Sequence, residues 1–281
     1  AEAGLTAPDH GLDAERVGFA IGSGIGGIAA IEENMLIYRD KGPRRISPFY
    51  IPGAIANMIG GVLSINFGFK GPNLAVVTAC TTATHNIGLA ARLIKYGDAE
   101  VMVAGGAEYA TTPTGMAGFV SAKAMSSRND DPAGASRPWD RDRDGFVLSN
   151  GAGIMVIEEL EHARSRRVPI LGEILGYGAS ADAFRITDPH PKGEGAVLAM
   201  RAALADAALA PDAIDYINAH GTLTAQNDLT ETLAVKRVFG ERARDIPVSS
   251  NKSMLGHPIA AAGAVECILT LMGMHHSLIL P

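Results

Sequence analysis

The chain reads as an α/β protein made of two similar halves, and three observations predict it. Short apolar, β-branched runs alternate with stretches of helical periodicity along most of the length, the order expected of mostly parallel strands covered by helices. The connections are short and glycine-rich, with 33 glycines in 281 residues. A strand, a reactive side chain and a helix follow one another around Cys80 and again beyond Pro169, which predicts a duplicated unit. The division falls between residues 1–169 and 170–281.

In chain order, Ala1–Glu15 reads as the tail of a helix plus a loop. Val17–Gly22 is the first strand and runs into a glycine loop that ends at Gly27. No acidic residue follows that loop at the distance a dinucleotide site needs, so it is read as a turn admitting close backbone approach. Ile28–Arg39 is helical, Lys41–Phe49 is a basic loop broken by proline, and Ile51–Phe67 is one glycine-rich helix. Leu74–Ala79 is a buried strand. After Cys80 a helix runs to Tyr96, with Ala83, Ile87, Ala90 and Ile94 on one face. Val101–Ala104 is a second buried strand, and Thr111–Met125 is irregular.

Ser127–Gly145 is a long polar loop holding the only tryptophan, Trp139, and Arg137 with the aspartates is expected to tie it down. Gly153–Glu158 is a strand, Glu159–Arg166 a helix and Ile170–Ala179 a further strand. Gly193–Ala207 and Gln226–Phe239 are helices, and Ile214–Asn218 and Pro247–Ser250 are strands. A last helix runs from about Ile259 to His275.

Composition narrows the function classes. Apolar residues make up 47% and charged residues 19%, which suits a well-packed enzyme and not a disordered chain. A net charge of −6 argues against nucleic acid as a partner. Two cysteines make no disulfide framework and point to a reducing compartment, the cytoplasm. No signal peptide and no membrane-crossing run stand out.

Cys80 falls at a strand-to-helix turn, where the first-turn dipoles favour a nucleophilic thiolate. Alone, it is explained as well by a small buried hydrophobe. His220 and His257 also stand at or just beyond predicted strand ends, the edge of a parallel sheet where sites form, and Lys252 shares a loop with His257. Taken singly, each histidine suits a packed or surface residue; flanked by small residues and taken together, they point to chemistry. The other histidines, His10, His85, His162, His190, His275 and His276, lack such a setting, and His85 reads as packed. A zinc site of Cys80, His220 and His257 has no C-x-x-C or H-x-x-x-H spacing behind it.

The segments TACTTATHNIG, AHGTLT and NKSMLGHPIAAAGAVE resemble the three motif regions of the β-ketoacyl-acyl carrier protein synthases, in particular the elongating type II enzymes. VMVAGGAE, GSGIGG and SRPWDRDRDGFVLSNGAG extend the likeness over nearly the whole chain. The resemblance implies a thiolase-like αβαβα layered sandwich of two similar halves, a homodimer, and acyl carrier protein as partner. It implies a decarboxylative Claisen condensation without a cofactor, the acyl groups riding on phosphopantetheine. Cys80 would carry the acyl chain as a thioester. His220 and His257 would stabilise the enolate left when malonyl loses CO₂, and Lys252 would orient them with Glu266 as its partner. Thr222 and Thr224 would hold the pantetheine arm, Ile25 and Phe119 would line the acyl pocket, and Arg44, Arg45 and Lys123 would receive the carrier protein. Asn218 and Glu266 fall where the family places ligands of a structural cation.

Leu223, Leu255 and Asn150 depart from the family pattern; the first two are expected to add bulk beside the pantetheine channel. The family's first strand would precede Ala1, and its closing glycine-rich loop, with the second oxyanion donor, would follow Pro281. The 281-residue piece alone is therefore expected to aggregate and to be nearly inactive. Two further readings stay beside the condensing enzyme: a polyketide-type ketosynthase, and a non-catalytic dimer partner of the chain-length-factor kind, against which Cys80 argues. A Cys/His hydrolase lacks an orienting acid beside a single histidine.

Overall fold

The computed structural model describes residues 3–5 and 11–281; His10 and most of the Ala1–Glu15 reading lie outside them. Two compact units are present, each discontinuous in sequence. The first comprises Ala1–Gly118, Ser149–Gly172 and Pro258–Ile268, and the second Phe119–Leu148, Glu173–His257 and Leu269–Pro281.

The first unit is organised by a four-stranded sheet in the order β2-β1-β3-β4. Strand β1 (Val17–Gly22) leads to helices α1 (Ile28–Lys41), α2 (Tyr50–Ala54) and α3 (Met58–Phe67), then to β2 (Asn73–Leu74). Helix α4 (Thr82–Lys95) and β3 (Val101–Glu108) follow, then α5 (Pro113–Ser121), β4 (Gly151–Glu158) and α6 (Leu160–Arg166). Strand β1 pairs in parallel with β2 and β3, whereas β4 runs antiparallel to β3. The antiparallel partner matches all eight residues of β3, which is why that strand continues through Gly105–Glu108, past the expected end at Ala104.

All of β1 is buried, because both faces of the sheet centre are covered. On one face Ala20, Met102 and Ala104 pack with Ala83, Ile87 and Ala90 of α4. On the other, Phe19, Ile21, Val101 and Val103 pack with Phe69, Ile59 and Leu63. Burial on both faces explains why these strands read as continuous apolar runs.

Three expectations change here. Thr111–Met125, expected to be irregular, contains α5 (Pro113–Ser121), whose first turn is capped by Thr112 Oγ1 accepting the Gly115 N–H at 3.3 Å. The single helix 51–67 is two helices, because Ile55 takes extended backbone and ends α2. The strand expected over Leu74–Ala79 stops at Leu74. Beyond it the Val76 N–H and C=O bond to the side-chain amide of Asn86, so no neighbouring strand engages them. Leu74 and Val77 are 45% and 46% exposed, on the outer edge of the sheet.

The second unit is built on α7 (Glu194–Asp206) and α8 (Ala225–Phe239) with a short parallel pair, β5 (Ile217–Asn218) and β6 (Val248–Ser249). Val235, Phe239 and Ile246 form its core, with Met200, Leu204 and Ile217 packed against them. Helix α9 (Lys252–Leu255) precedes α10 (Ala262–His276). The strand expected over Ile170–Ala179 does not form. Tyr177 N–H donates to Asp206 Oδ2 at 3.0 Å, and a Cβ on Gly178 would stand 2.1 Å from Ala199 O. The segment's glycines thus bring it against the backbone of α7, not into a ladder. The loop 127–145 is tied down as expected. Arg137 bonds Gly134 O and reaches Asp131 and Asp140, and Asp144 accepts from Ser126 and Ser127.

Contrary to the expectation of no such run, Ile259–His276 is long and apolar enough to cross a membrane by length and composition. Its first residues, however, lie in the core, with Ala260, Ala261 and Ala264 wholly buried.

The entries to α4 and α10 share one backbone device. Ala79, with φ 52°, opens the 3-10 turn Ala79–Thr81 before α4. Ile259, with φ 38°, opens the 3-10 turn Ile259–Ala261 before α10. Glycine at 106 lets β3 pass beside the second of these turns, since a Cβ there would lie 2.5 Å from Ala260 O and 3.1 Å from Ala83 Cβ. Gly106→Ala is expected to destabilise the fold by about 1–3 kcal/mol or more, as overpacking against backbone does. Chemical denaturation of the variant beside the parent checks it.

Candidate active site

Cys80 lies on the 3-10 turn at the mouth of α4 and is partly buried. The left-handed φ of Ala79 just before it costs a non-glycine residue about 1–2 kcal/mol and is held by local bonds. Thr81 N–H and Oγ1 both donate to Thr78 O, at 3.1 and 2.8 Å. Thr78 N–H donates to Thr82 Oγ1 at 2.9 Å. His85, read as packed, places Nδ1 2.8 Å from Thr78 Oγ1, and burial lowers its pKa.

In the second unit the structure brings His220, Lys252 and His257 together. His220 follows β5, where Ala219 N–H bonds Ser249 O. Lys252 is 1% exposed; its Nζ donates to His220 O at 2.7 Å and stands 3.4 Å from His220 Nδ1. His257 is anchored by its own N–H to Val147 O at 2.7 Å. The two imidazoles meet edge to face with centroids 5.4 Å apart, and Phe146 stands edge-on to His257 at 5.3 Å. Phe119 packs in turn on Phe146, at 5.4 Å.

Both imidazoles are held neutral. Desolvation, then the charges of Lys252 and His257, lowers the His220 pKa well below the usual value. Desolvation, then Lys252, brings His257 down to about 3. A neutral His220 with an ammonium at Nδ1 accepts there and therefore carries its proton on Nε2. The arrangement is a pair of N–H donors, not a pair of acids.

Two carboxylates of this site were missed in the sequence. Glu231 accepts the backbone N–H groups of His220 and Gly221 at 2.7 and 2.8 Å. Desolvation raises its pKa, opposed by those same two bonds. Asp228 accepts from Leu223 N–H at 3.1 Å and Trp139 N–H at 2.9 Å and pairs with Arg143 at 3.4 Å. The available signal was their i, i+3 spacing, one turn into the helix capped by Thr224.

The remaining candidates are placed as follows. Thr222 is buried with its Oγ1 3.2 Å from that of Thr224, and Thr224 also caps α8 by accepting Asn227 N–H. Leu223, expected beside a channel, is wholly buried with φ 66°; Leu255 is half-exposed. Ile25 donates its N–H to the buried carboxylate of Glu108, which also takes Ser23 Oγ and Gly24 N–H. Asn150 accepts from the N–H groups of Ala110 and Thr111. Arg44, Arg45 and Lys123 are exposed. Asn218 gives its amide protons to Asn251 Oδ1 and Thr270 Oγ1 at 2.7 and 2.9 Å. Glu266 lies on α10.

An α/β fold with a cysteine at a helix mouth, and with two neutral histidines beside a buried lysine in its second unit, defines the class to be compared with known proteins. The family profile described as β-ketoacyl synthase, N-terminal domain, matches residues 1–163, and the one described as β-ketoacyl synthase, C-terminal domain, matches 171–281. The chain belongs to the β-ketoacyl synthase family, and its fold is the thiolase-like fold of the ketosynthases. It is 54% identical over 279 residues to 3-oxoacyl-[acyl-carrier-protein] synthase 2 of Vibrio cholerae, covering 97% of this chain and 67% of that protein. The synthase 2 of Coxiella burnetii is 52% identical over 271 residues, covering 95% and 66%. The chain thus spans about two thirds of the relatives it matches. Among solved structures, a type II polyketide ketosynthase in complex with its acyl carrier protein superposes with a TM-score of 0.91 at 33% identity, over 96% of this chain and 67% of that one. A β-ketoacyl synthase from Burkholderia phymatum gives 0.89 at 35%, over 96% and 65%.

The neutral histidines set a pH dependence. Below about 6.5 the unfolded chain binds a proton that folded His257 refuses, so its contribution to stability falls as pH drops from there towards about 3, and buried His220 acts in the same direction. From pH 7 to 5 this amounts to about 2 kcal/mol for His257. Glu231, with its raised pKa, acts in the opposite sense. Denaturant titrations at both pH values should show the slope reduced in His257→Gln by about one proton's worth; an unchanged slope would place the charge elsewhere.

Proposed function

We propose that this chain carries the catalytic side chains of a 3-oxoacyl-[acyl-carrier-protein] synthase acting in fatty acid chain elongation. The observation that carries the reading is the Lys252–His220–His257 cluster, whose two imidazoles stay neutral beside a buried ammonium. Anion stabilisation needs donors of this kind, already desolvated and fixed in place.

Cys80 thiolate attacks the thioester carbonyl of acyl-acyl carrier protein, and the phosphopantetheine sulfur leaves as a thiolate that takes a proton from solvent. Malonyl-carrier protein then takes its place, with Thr222 and Thr224 holding the arm. Its C–C bond breaks to release CO₂, and the electron pair becomes an enolate whose oxygen is held by the N–H groups of His220 and His257. The enolate carbon attacks the Cys80 thioester, the tetrahedral adduct collapses, and the thiolate is restored as 3-oxoacyl-carrier protein departs. No electron acceptor or donor enters, so the reaction needs no cofactor. No step passes through a cation at Asn218 and Glu266.

Ile25 and Phe119 would bound the acyl chain, and exposed Arg44, Arg45 and Lys123 would receive the acidic carrier protein. The enzyme would work in the cytoplasm as a homodimer, joined through the exposed sheet edge at Leu74–Val77. Higher identity to the synthase 2 relatives than to the polyketide ketosynthase favours fatty acid over polyketide elongation.

In the full-length enzyme, Cys80→Ala is expected to abolish acyl transfer and retain malonyl decarboxylation, while His220→Ala lowers decarboxylation by about a hundredfold or more. Separate assays of CO₂ release and condensation check this; loss of both in folded Cys80→Ala would reassign the roles. Val77→Asp is expected to convert the dimer to monomer in sedimentation at micromolar concentration.

A further inference from the structure

Asn86 is wholly buried one and a half turns into α4. Its Oδ1 accepts the Val76 N–H at 3.0 Å, and its Nδ2 donates to Val76 O at 2.9 Å and Thr82 O at 2.8 Å. One carboxamide therefore fills both backbone groups of a residue four positions before Cys80, as a neighbouring strand would. Two residues on, Thr78 is held by Thr82 Oγ1, which accepts its N–H at 2.9 Å, and by Thr81 Oγ1, which donates to its carbonyl at 2.8 Å. The nucleophile's own helix thus grips the chain that leads into it, and Ala79, with its unfavourable left-handed φ, lies between grip and nucleophile.

We propose that Asn86 is a positioning residue for Cys80. With Val76 and Thr78 both fastened to α4, the span to Cys80 is too short to let Ala79 relax to an ordinary conformation. The sulfur is thereby kept at the helix mouth in one orientation. Without the carboxamide, Val76 is released, Ala79 relaxes, and the thiolate leaves the line of attack. An isosteric carboxylate cannot replace it, because Val76 O and Thr82 O both need a donor. This rests on the assignment of Cys80 as the acyl carrier, and the test separates the two.

The test uses the full-length enzyme with Asn86→Asp, and with Thr82→Val, which keeps shape but removes the acceptor for Thr78 N–H. Four quantities are measured: iodoacetamide alkylation of Cys80 followed by peptide mass across pH, acyl transfer to Cys80, malonyl decarboxylation, and the melting temperature. Misplacement of a reacting atom by about 1 Å costs roughly a hundredfold. Asn86→Asp is therefore expected to lower acyl transfer about a hundredfold and to change the rate and pH profile of alkylation. Decarboxylation, which belongs to the histidines, should stay within about twofold. Thr82→Val is expected to show the same split with a smaller loss, and it decides the matter if Asn86→Asp does not fold. Unchanged acyl transfer and alkylation in a folded variant, or an equal fall in acyl transfer and decarboxylation, would overturn the proposal. Condensation surviving in Cys80→Ala would instead overturn the role of Cys80, while the alkylation profile would still judge Asn86.

Discussion

A lysine ammonium enclosed by protein, bonded to the carbonyl of His220, sets the electrostatics of the histidine pair. Where water is scarce, a fixed positive charge a few ångströms away makes a second one costly. Neither imidazole can be an imidazolium, so neither can act as a strong acid. What remains is two N–H donors whose positions are fixed before any anion forms. Donors of that kind need no reorganisation as charge develops, which is the condition for lowering the barrier to an enolate.

The same interaction explains why so much polar structure surrounds one turn of chain. Lys252 holds the carbonyl of His220 and Glu231 holds its N–H, so the residue is gripped on both sides of its peptide. Asp228, one helical turn from Glu231, gathers Leu223, Trp139 and Arg143. Ser136 donates to the carbonyl of Lys252. The long loop 127–145 is thus part of the support for the histidine turn, which accounts for its fixed geometry despite its length. A buried carboxylate with a raised pKa is a costly support, and its cost is offset by two backbone bonds to the residue that most needs to stay still.

How far the sequence could be read depends on where each signal lies. Helices α1, α4, α7, α8 and α10 were legible because their apolar patterns are local, and short motifs picked out His220, Lys252 and His257, which the second unit brings together. Strand ends were not. A ladder's length is set by its partner, so β3 ran on to Glu108 because β4 matches it, and the expected strand at Ile170–Ala179 found no ladder. At Val76 the competitor was a side chain ten residues ahead, which periodicity cannot weigh. Glu231 and Asp228 were missed for a related reason. On a helix surface such acids pass for solvated charge, and only the fold turns them towards the His220 loop.

The entries to α4 and α10 put one backbone device in two different settings. Ala79 and Ile259 share a left-handed φ, a three-residue 3-10 turn and a following helix, so Cys80 corresponds in register to Ala260. The counterpart of Cys80 is a wholly buried alanine, and Gly106 lies against its carbonyl with no room for a methyl group. The turn that leaves a side chain partly exposed at Cys80 closes the core at Ala260. A side chain as large as cysteine at Ala260 would meet packing already complete, whereas Cys80 is only partly buried. The difference between the two turns is therefore one of packing: they share a shape, and only the one at Cys80 leaves its side chain room.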